Sequence, residues 1–540
     1  MSRPPGPADA AIASCARNAP ERLAIADDGT QLSYADLDRE ITRFARALTA
    51  AGVDAGHVVS IWLPPWWASS ALFNSAMRLG AVSHVMSHGL GSDEANGILQ
   101  VARPRAIVVG GEDVAHLAQM REVIDQAAPD AEVFIVRRTP GVPLEHVRAR
   151  PAGSGQAAGA RRLPGAQALI FTSGTTGTPK GVIHTAASLT AVCTSVAARF
   201  ELGPGCVIGL ASPIGHIRWV MYGATMPFQL RGTLLTAQRW IPREWIDMAR
   251  ATSCEFAAFS PKHVADLVEL RRSGHPRAWL KTISLGGSYL PTDTLLEAER
   301  VLDARIVRSY GCTEFPSATS GSPREPVDRR CSLDGHPLDG VELALEPVSD
   351  DASPVARISG HMMSRILLRG SHAAAGIIST RDDEPARVTG PDGWLRTEDF
   401  AEMVGNDVRI VGRSAELIIR NGENISAPAV ESVLMEHPAI AEVAVAGEHD
   451  PIVGERLVAV LVPSGTAAPE VADLAEFLRQ RNIERHKWPE RVVVVPQIPR
   501  TSSGKIRRRS VWELVNRRPG MLVNLEGTGT SRLARRDVGR

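Results

Sequence analysis

The chain has 540 residues, several times an ordinary domain, and 60 lysines plus arginines balance 60 aspartates plus glutamates. It therefore has length for two or three domains with buried cores, and no global charge that would draw it to nucleic acid or an anionic membrane surface. Six cysteines lie far apart without a CxxC pair, which argues against a zinc site or a disulfide framework and for a reducing, cytoplasmic setting.

The opening Met1-Ser-Arg-Pro-Pro-Gly-Pro lacks the apolar core of a signal peptide, and no later run reaches the roughly 18 apolar residues of a membrane span. A soluble protein with no membrane partner is expected. From Leu32 to about Ile135, helical patterns such as Tyr34 to Leu48 alternate with apolar runs such as Val58 to Leu63 and Ala106 to Val109. This βα alternation predicts an α/β domain with a largely parallel sheet. The Pro/Gly-rich stretch from Pro151 to Gly165 reads as a surface loop before a strand from Ala166 to Phe171, and the alternation then resumes to about residue 320. Beyond Asp334, short strands with turns (Val341 to Leu345, Ser364 to Leu368, Val408 to Val411) predict a β-rich subdomain ahead of a compact C-terminal α+β region. The expected division is 1–412 for a large N-terminal domain, 413–517 for a small C-terminal one, and 518–540 for a basic, mobile tail.

The segment Phe171-Thr-Ser-Gly-Thr-Thr-Gly-Thr-Pro-Lys-Gly-Val182 directly follows a predicted strand. Its glycines let backbone approach a ligand closely, its amides and hydroxyls offer donors to phosphate oxygens, and its lysine adds charge. A flexible glycine turn explains the glycines but not four threonines, a serine and one of only five lysines in the chain. It is not a Walker A loop, because Lys180 does not directly follow the second glycine and no Ser or Thr follows it.

This segment resembles the phosphate loop of the adenylate-forming superfamily, which includes acyl-CoA synthetases, peptide-synthetase adenylation domains and luciferases. Further signatures follow in order: Leu285-Gly-Gly-Ser288, Tyr310-Gly-Cys-Thr-Glu314, Gly393 to Asp399, Val411-Gly-Arg413, Asn421 to Ile425 and Thr501-Ser-Ser-Gly-Lys505. The resemblance spans Leu32 to about Leu514 and is nearest in texture to cyclohexanecarboxylate-CoA ligase-like enzymes. It implies a large domain that binds ATP and acid, and a small mobile domain that carries a catalytic lysine, Lys505.

By the same resemblance, Thr172, Ser173, Gly174, Thr175, Thr176 and Lys180 hold the ATP phosphates. Gly286, Gly287, Ser288, Tyr310, Gly311, Thr313, Asp399 and Arg413 surround adenine and ribose, and Glu314 holds Mg2+, a hard cation suited to carboxylate oxygen. His216, Arg218, Trp219, Gly311 and Cys312 line the acid pocket, with His216 also at the reacting centre. A carboxylate attacking a phosphate brings negative charges together, so Mg2+ and a fixed cation must offset the repulsion.

Three departures individualise the chain. The segment usually Thr-Gly-Asp is Thr397-Glu398-Asp399, with Glu398 free to point to solvent; the hinge position two after Arg413 is Ala415; and His216 is followed by Arg218 and Trp219 where small residues are common. The bulky indole predicts a short acyl pocket. A helical step of about 100° turns Arg218 away from His216, so a place on a domain surface and a place in the pocket, where it would favour a small or additionally anionic acid, both stay open. The expected function is AMP-forming activation of a compact acid by ATP followed by thioesterification to CoA. The alternative is a CoA-independent enzyme that passes the activated acid to an amine or a carrier protein, or activates nitrite as ATP-dependent diazotases do. No nucleic-acid partner is expected, and the oligomeric state is left open.

Overall fold

A computed structural model describes residues 7–111, 114–148, 159–172, 179–277, 279–286, 292–347, 357–358, 361–362, 364–379, 384–413, 416–420, 423–450, 453–481, 483–501 and 505–516. The expectations for Ser173 to Thr176, Gly287, Ser288, Ala415, Asn421, Gly422 and the tail fall outside them.

Two mostly parallel sheets organise the large N-terminal part. In the first, the parallel strands run in the order Arg305–Tyr310, Thr282–Leu285, Phe256–Phe259, Val207–Leu210, Thr233–Leu235 and Leu23–Asp27, with antiparallel strands at both edges. In the second, Ala166–Thr172, Val82–Ser87, Val58–Leu63, Ala106–Gly110 and Glu132–Val136 are parallel, and Lys180–Thr185 pairs antiparallel to the first of them. All six residues of Val58–Leu63 are buried, as expected of a strand covered on both faces.

Local sequence signals fix the helices. Ser33 and Asp36 form a capping box at the start of helix Tyr34–Ala50, which buries Tyr34, Leu37, Ile41, Phe44 and Leu48, one helical stripe. The Tyr34 hydroxyl donates to the Gly232 carbonyl at 2.7 Å, so its buried oxygen is satisfied. Helix Trp67–Arg78 is buried from Trp67 through Met77. Its polar side chains reach backbone: Ser70 Oγ donates to Gly223 O at 2.8 Å and Asn74 Nδ2 to Ala224 O at 3.2 Å. These two carbonyls belong to the segment that follows His216, so a core helix anchors the site from behind.

The β-rich subdomain is a four-stranded antiparallel sheet in the order Val341–Pro347, Ser364–Gly370, Leu395–Val404 and Asp407–Arg413. The C-terminal part is a second layer of strands and helices, with Ile440–Asp450 and Gly454–Pro463 antiparallel and Arg491–Val494 parallel to the latter. Its core comes from both faces of that sheet: Val443, Val445, Leu457 and Leu461 on one side, and Ala444, Val458, Val460 and Val511 on the other. Among the described residues no helix is long and apolar enough to cross a membrane.

Candidate active site

The segment from Thr172 to Lys180 begins and ends on two paired strands. Strand Ala166–Thr172 pairs with Lys180–Thr185 so that Thr172 stands opposite Lys180, and Lys180 is exposed. The two ends of the segment are therefore fixed by sheet pairing.

The turn after strand Arg305–Tyr310 is the crowded part of the site. A side chain on Gly311 would put its Cβ 2.3 Å from Ser317 N, and one on Gly286 would lie 2.8 Å from Ser309 O. Both positions need glycine because backbone passes there at contact distance. Tyr310 donates its hydroxyl to Asp399 Oδ2 at 2.7 Å, while Arg413 Nε lies 2.6 Å from Asp399 Oδ1. Asp399 and Arg413 are direct cross-strand partners. Burial, and then the Asp399 charge, push the Tyr310 phenol well above its usual pKa, so it stays a donor. Strand Leu395–Val404 alternates buried Thr397 and Asp399 with an exposed Glu398, which gives the extra carboxylate its physical explanation: it faces solvent by the period of two.

Thr313 and Glu314 follow on the same turn. The Glu314 carboxylate has no hydrogen bond or ion pair with any described residue, and it is partly buried. A half-enclosed carboxylate without a protein cation suits a hard metal ion. Cys312 is held as a thiol, first by burial and then by the charges of Glu314 and Asp399, all of which raise its pKa. It is not placed to act as a thiolate nucleophile.

The acid end is built by an irregular helix. His216 caps a single turn, Ile217–Trp219, by accepting the Arg218 N–H on Nδ1 at 3.1 Å, and a π-helix, Val220–Thr225, continues it. Such wide turns are rare and cluster at functional sites. With Nδ1 accepting, the ring proton sits on Nε2. Burial, then Lys505 and Arg218, bring the His216 pKa down to about 3, so it is neutral near pH 7.

Arg218, open by its sequence to a domain surface or to the pocket, turns its guanidinium inward. Its Nη1 donates to Phe259 O and its Nη2 to Gly286 O at 2.6 Å, at the carboxyl ends of two central strands. The turn is too short for a wheel to hold, and the strand-end carbonyls attract the guanidinium inward. Trp219, expected on the pocket wall, packs into the core. Its indole is fully buried, edge-on to Phe73 at 6.1 Å, and a Cβ on Gly223 would lie 2.8 Å from its Nε1. It sits in the core behind His216 and does not face open space.

Lys505 comes from the C-terminal part and joins this cluster. It keeps solvent access, yet the surrounding protein and then Arg413 and Arg218 lower its pKa, while Glu416 and Asp399 oppose that shift. Its backbone is fixed: Thr501 N donates to Lys505 O at 2.7 Å and Lys505 N to Thr501 Oγ1 at 3.2 Å. Two residues on, Arg507 pairs with Glu94 of the large part at 2.8 Å. One end of the small domain is thereby tied across the cleft.

Comparison with known proteins decides the family. Residues 12–377 match the AMP-binding enzyme family, and residues 429–505 match its C-terminal domain. The chain belongs to the AMP-binding enzyme family. It is a member of the adenylate-forming superfamily, in the acyl-CoA synthetase branch, and an AMP-forming acid ligase.

This AMP-binding enzyme is 26% identical over 518 residues to a medium-chain fatty-acid–CoA ligase of Escherichia coli, covering 91% of this chain and 88% of the relative. It is 29% identical over 494 residues to a sulfoacetate–CoA ligase of Cupriavidus necator, covering 89% and 92%. An amide bond synthetase from Marinactinospora thermotolerans shares the fold, with a TM-score of 0.75, 22% identity and coverage of 94% of this chain and 100% of that one.

The structure of the AMP-binding enzyme adds residues that no motif marked. His184 Nε2 donates to the Thr313 carbonyl at 2.8 Å, and His372 Nδ1 lies 3.2 Å from the carbonyls of both Pro316 and Ser317. Two buried imidazoles thus prop the turn that carries Glu314. Each is a lone histidine in an apolar run, and only the tertiary contact distinguishes it from a core residue.

Proposed function

We propose that this AMP-binding enzyme converts a compact acid into an acyl-adenylate with ATP and Mg2+, and then into a CoA thioester. The observation that carries the reading is the approach of Lys505 from the small domain to His216 and Asp399 of the large one and to Arg413 at the boundary between them. In the first step a carboxylate oxygen of the acid bonds to the α-phosphorus, and the bond to the β-phosphate breaks to release pyrophosphate. Lys505 holds a positive charge where acid and α-phosphate converge, and the neutral His216 offers its Nε2–H to an oxygen of the same acid. Glu314 would hold Mg2+, which supplies charge neutralisation on the phosphates. Thr172 and Lys180 hold the phosphate end, and Asp399 with Arg413 holds the ribose. In the second step the CoA sulfur bonds to the acyl carbon, AMP leaves, and the thiol proton passes to solvent.

The test is release of AMP and pyrophosphate with short, alicyclic and aromatic acids and with nitrite, each with and without CoA or an aryl amine. Pyrophosphate release with acid alone and AMP release dependent on CoA are expected. Turnover to AMP without CoA, driven by an amine, would replace the thioester step by the CoA-independent alternative.

A further inference from the structure

Arg218 is a partly buried cation that faces no anion among the described residues. Two of its five N–H groups are spent on the neutral carbonyls of Phe259 and Gly286. Among the described residues it forms no ion pair, and the only charge that favours its ionised state is the potential phenolate of Tyr222. That phenol is itself pushed up to about 12 by burial, so it is neutral near pH 7. The other titratable neighbours are no help: burial first, and then the Arg218 charge, bring His263 down to about 4, and His216 is neutral as well. The permanent charge of Lys505 repels Arg218.

A partly enclosed guanidinium without a counterion loses hydration, and carbonyl acceptors compensate only part of that cost. The acid's reacting carboxylate is held at Lys505 and the α-phosphate, so it cannot also neutralise Arg218. Arg218 stands two residues from His216, on the turn that the His216 ring caps at 3.1 Å, so a substrate that reaches both is short. We propose, building on the acid-activation reading above, that Arg218 selects a compact dianionic substrate: a short dicarboxylate or a sulfonated carboxylate whose distal anionic group docks on the guanidinium. The remaining N–H groups form the flat fork that matches two oxygens of such a group, which a lysine cannot reproduce.

The test compares pyrophosphate release with matched pairs, malonate against propionate and succinate against butyrate, with sulfoacetate added, for the wild type, Arg218→Gln and Arg218→Lys. The wild type is expected to favour a dianion over its monoanionic partner by at least about tenfold in kcat/KM. Arg218→Gln should lose at least about tenfold on the dianion, mainly in KM, the lower end of what removing one partner of a desolvated charge pair costs. Its loss on the monoanion should be much smaller, and Arg218→Lys should recover part of the preference. Calorimetric binding of succinate in the presence of a non-hydrolysable ATP analogue should weaken in parallel. Equal losses on both members of a pair would reduce Arg218 to a backbone brace and overturn the proposal. Pyrophosphate release with monoanionic acids or nitrite alone would overturn it while leaving acid activation standing, and release with no acid would remove both.

Discussion

Lys505 is one of five lysines in the chain, and it comes from the small domain to face charged groups of the large one. Its lowered pKa has a kinetic sign. The ammonium is needed in its charged form, so the adenylation rate should fall as pH rises through the folded pKa, at a lower pH than an ordinary lysine would give. Lys505→Ala should cut pyrophosphate release by at least about a hundredfold, the scale of one well-placed electrostatic contact, with ATP binding largely kept. Lys505→Arg should move the alkaline limb up, since a guanidinium stays protonated. Near-normal pyrophosphate exchange in the alanine variant would remove Lys505 from the chemistry. His216 behaves oppositely: at about 3 its pKa leaves no acid limb near neutral pH that it could cause.

The π-helical turn after His216 shows how an element is built around a residue. Trp219 folds over Gly223, and no side chain fits beneath the indole. Gly223→Ala should therefore push the ring against Phe73 and destabilise the fold by about 1–3 kcal/mol, the usual range for overpacking. Thermal unfolding and the near-ultraviolet signal of the tryptophans would report it; an unchanged melting temperature would mean that the indole has room to move. The regular elements were legible beforehand, because helix Tyr34–Ala50 and strands such as Val58–Leu63 follow periods of 3.6 and two in their own residues. The ordered motifs likewise pointed to the acyl-CoA synthetase branch. The directions of Arg218 and Trp219 were not legible, because a three-residue turn followed by a π-helix has no fixed wheel. Nor were His184 and His372, whose partners lie 129 and about 55 residues away in sequence.

At the scale of the molecule, the ion pair between Glu94 and Arg507 joins the two parts beside the lysine. Arg507 is exposed, and pairs of that kind contribute about 0–1 kcal/mol. Glu94→Ala should thus lower the adenylation rate by no more than about fivefold, with the effect fading at high salt. Exchange of the charges in a Glu94→Arg, Arg507→Glu double variant should restore it. A single-variant loss indifferent to salt would locate the effect outside this contact.

The carboxylate of Asp399, with Tyr310 on one oxygen and Arg413 on the other, bears on how turnover ends. A buried carboxylate that depended on ribose hydroxyls alone would be stranded each time AMP departed, and the product would be retained by that penalty. Here the protein closes over its own acceptor. With Asp399 in the proposed ribose-binding role, departure of the nucleotide would expose no orphaned charge, and the site would reset without holding on to what it has made.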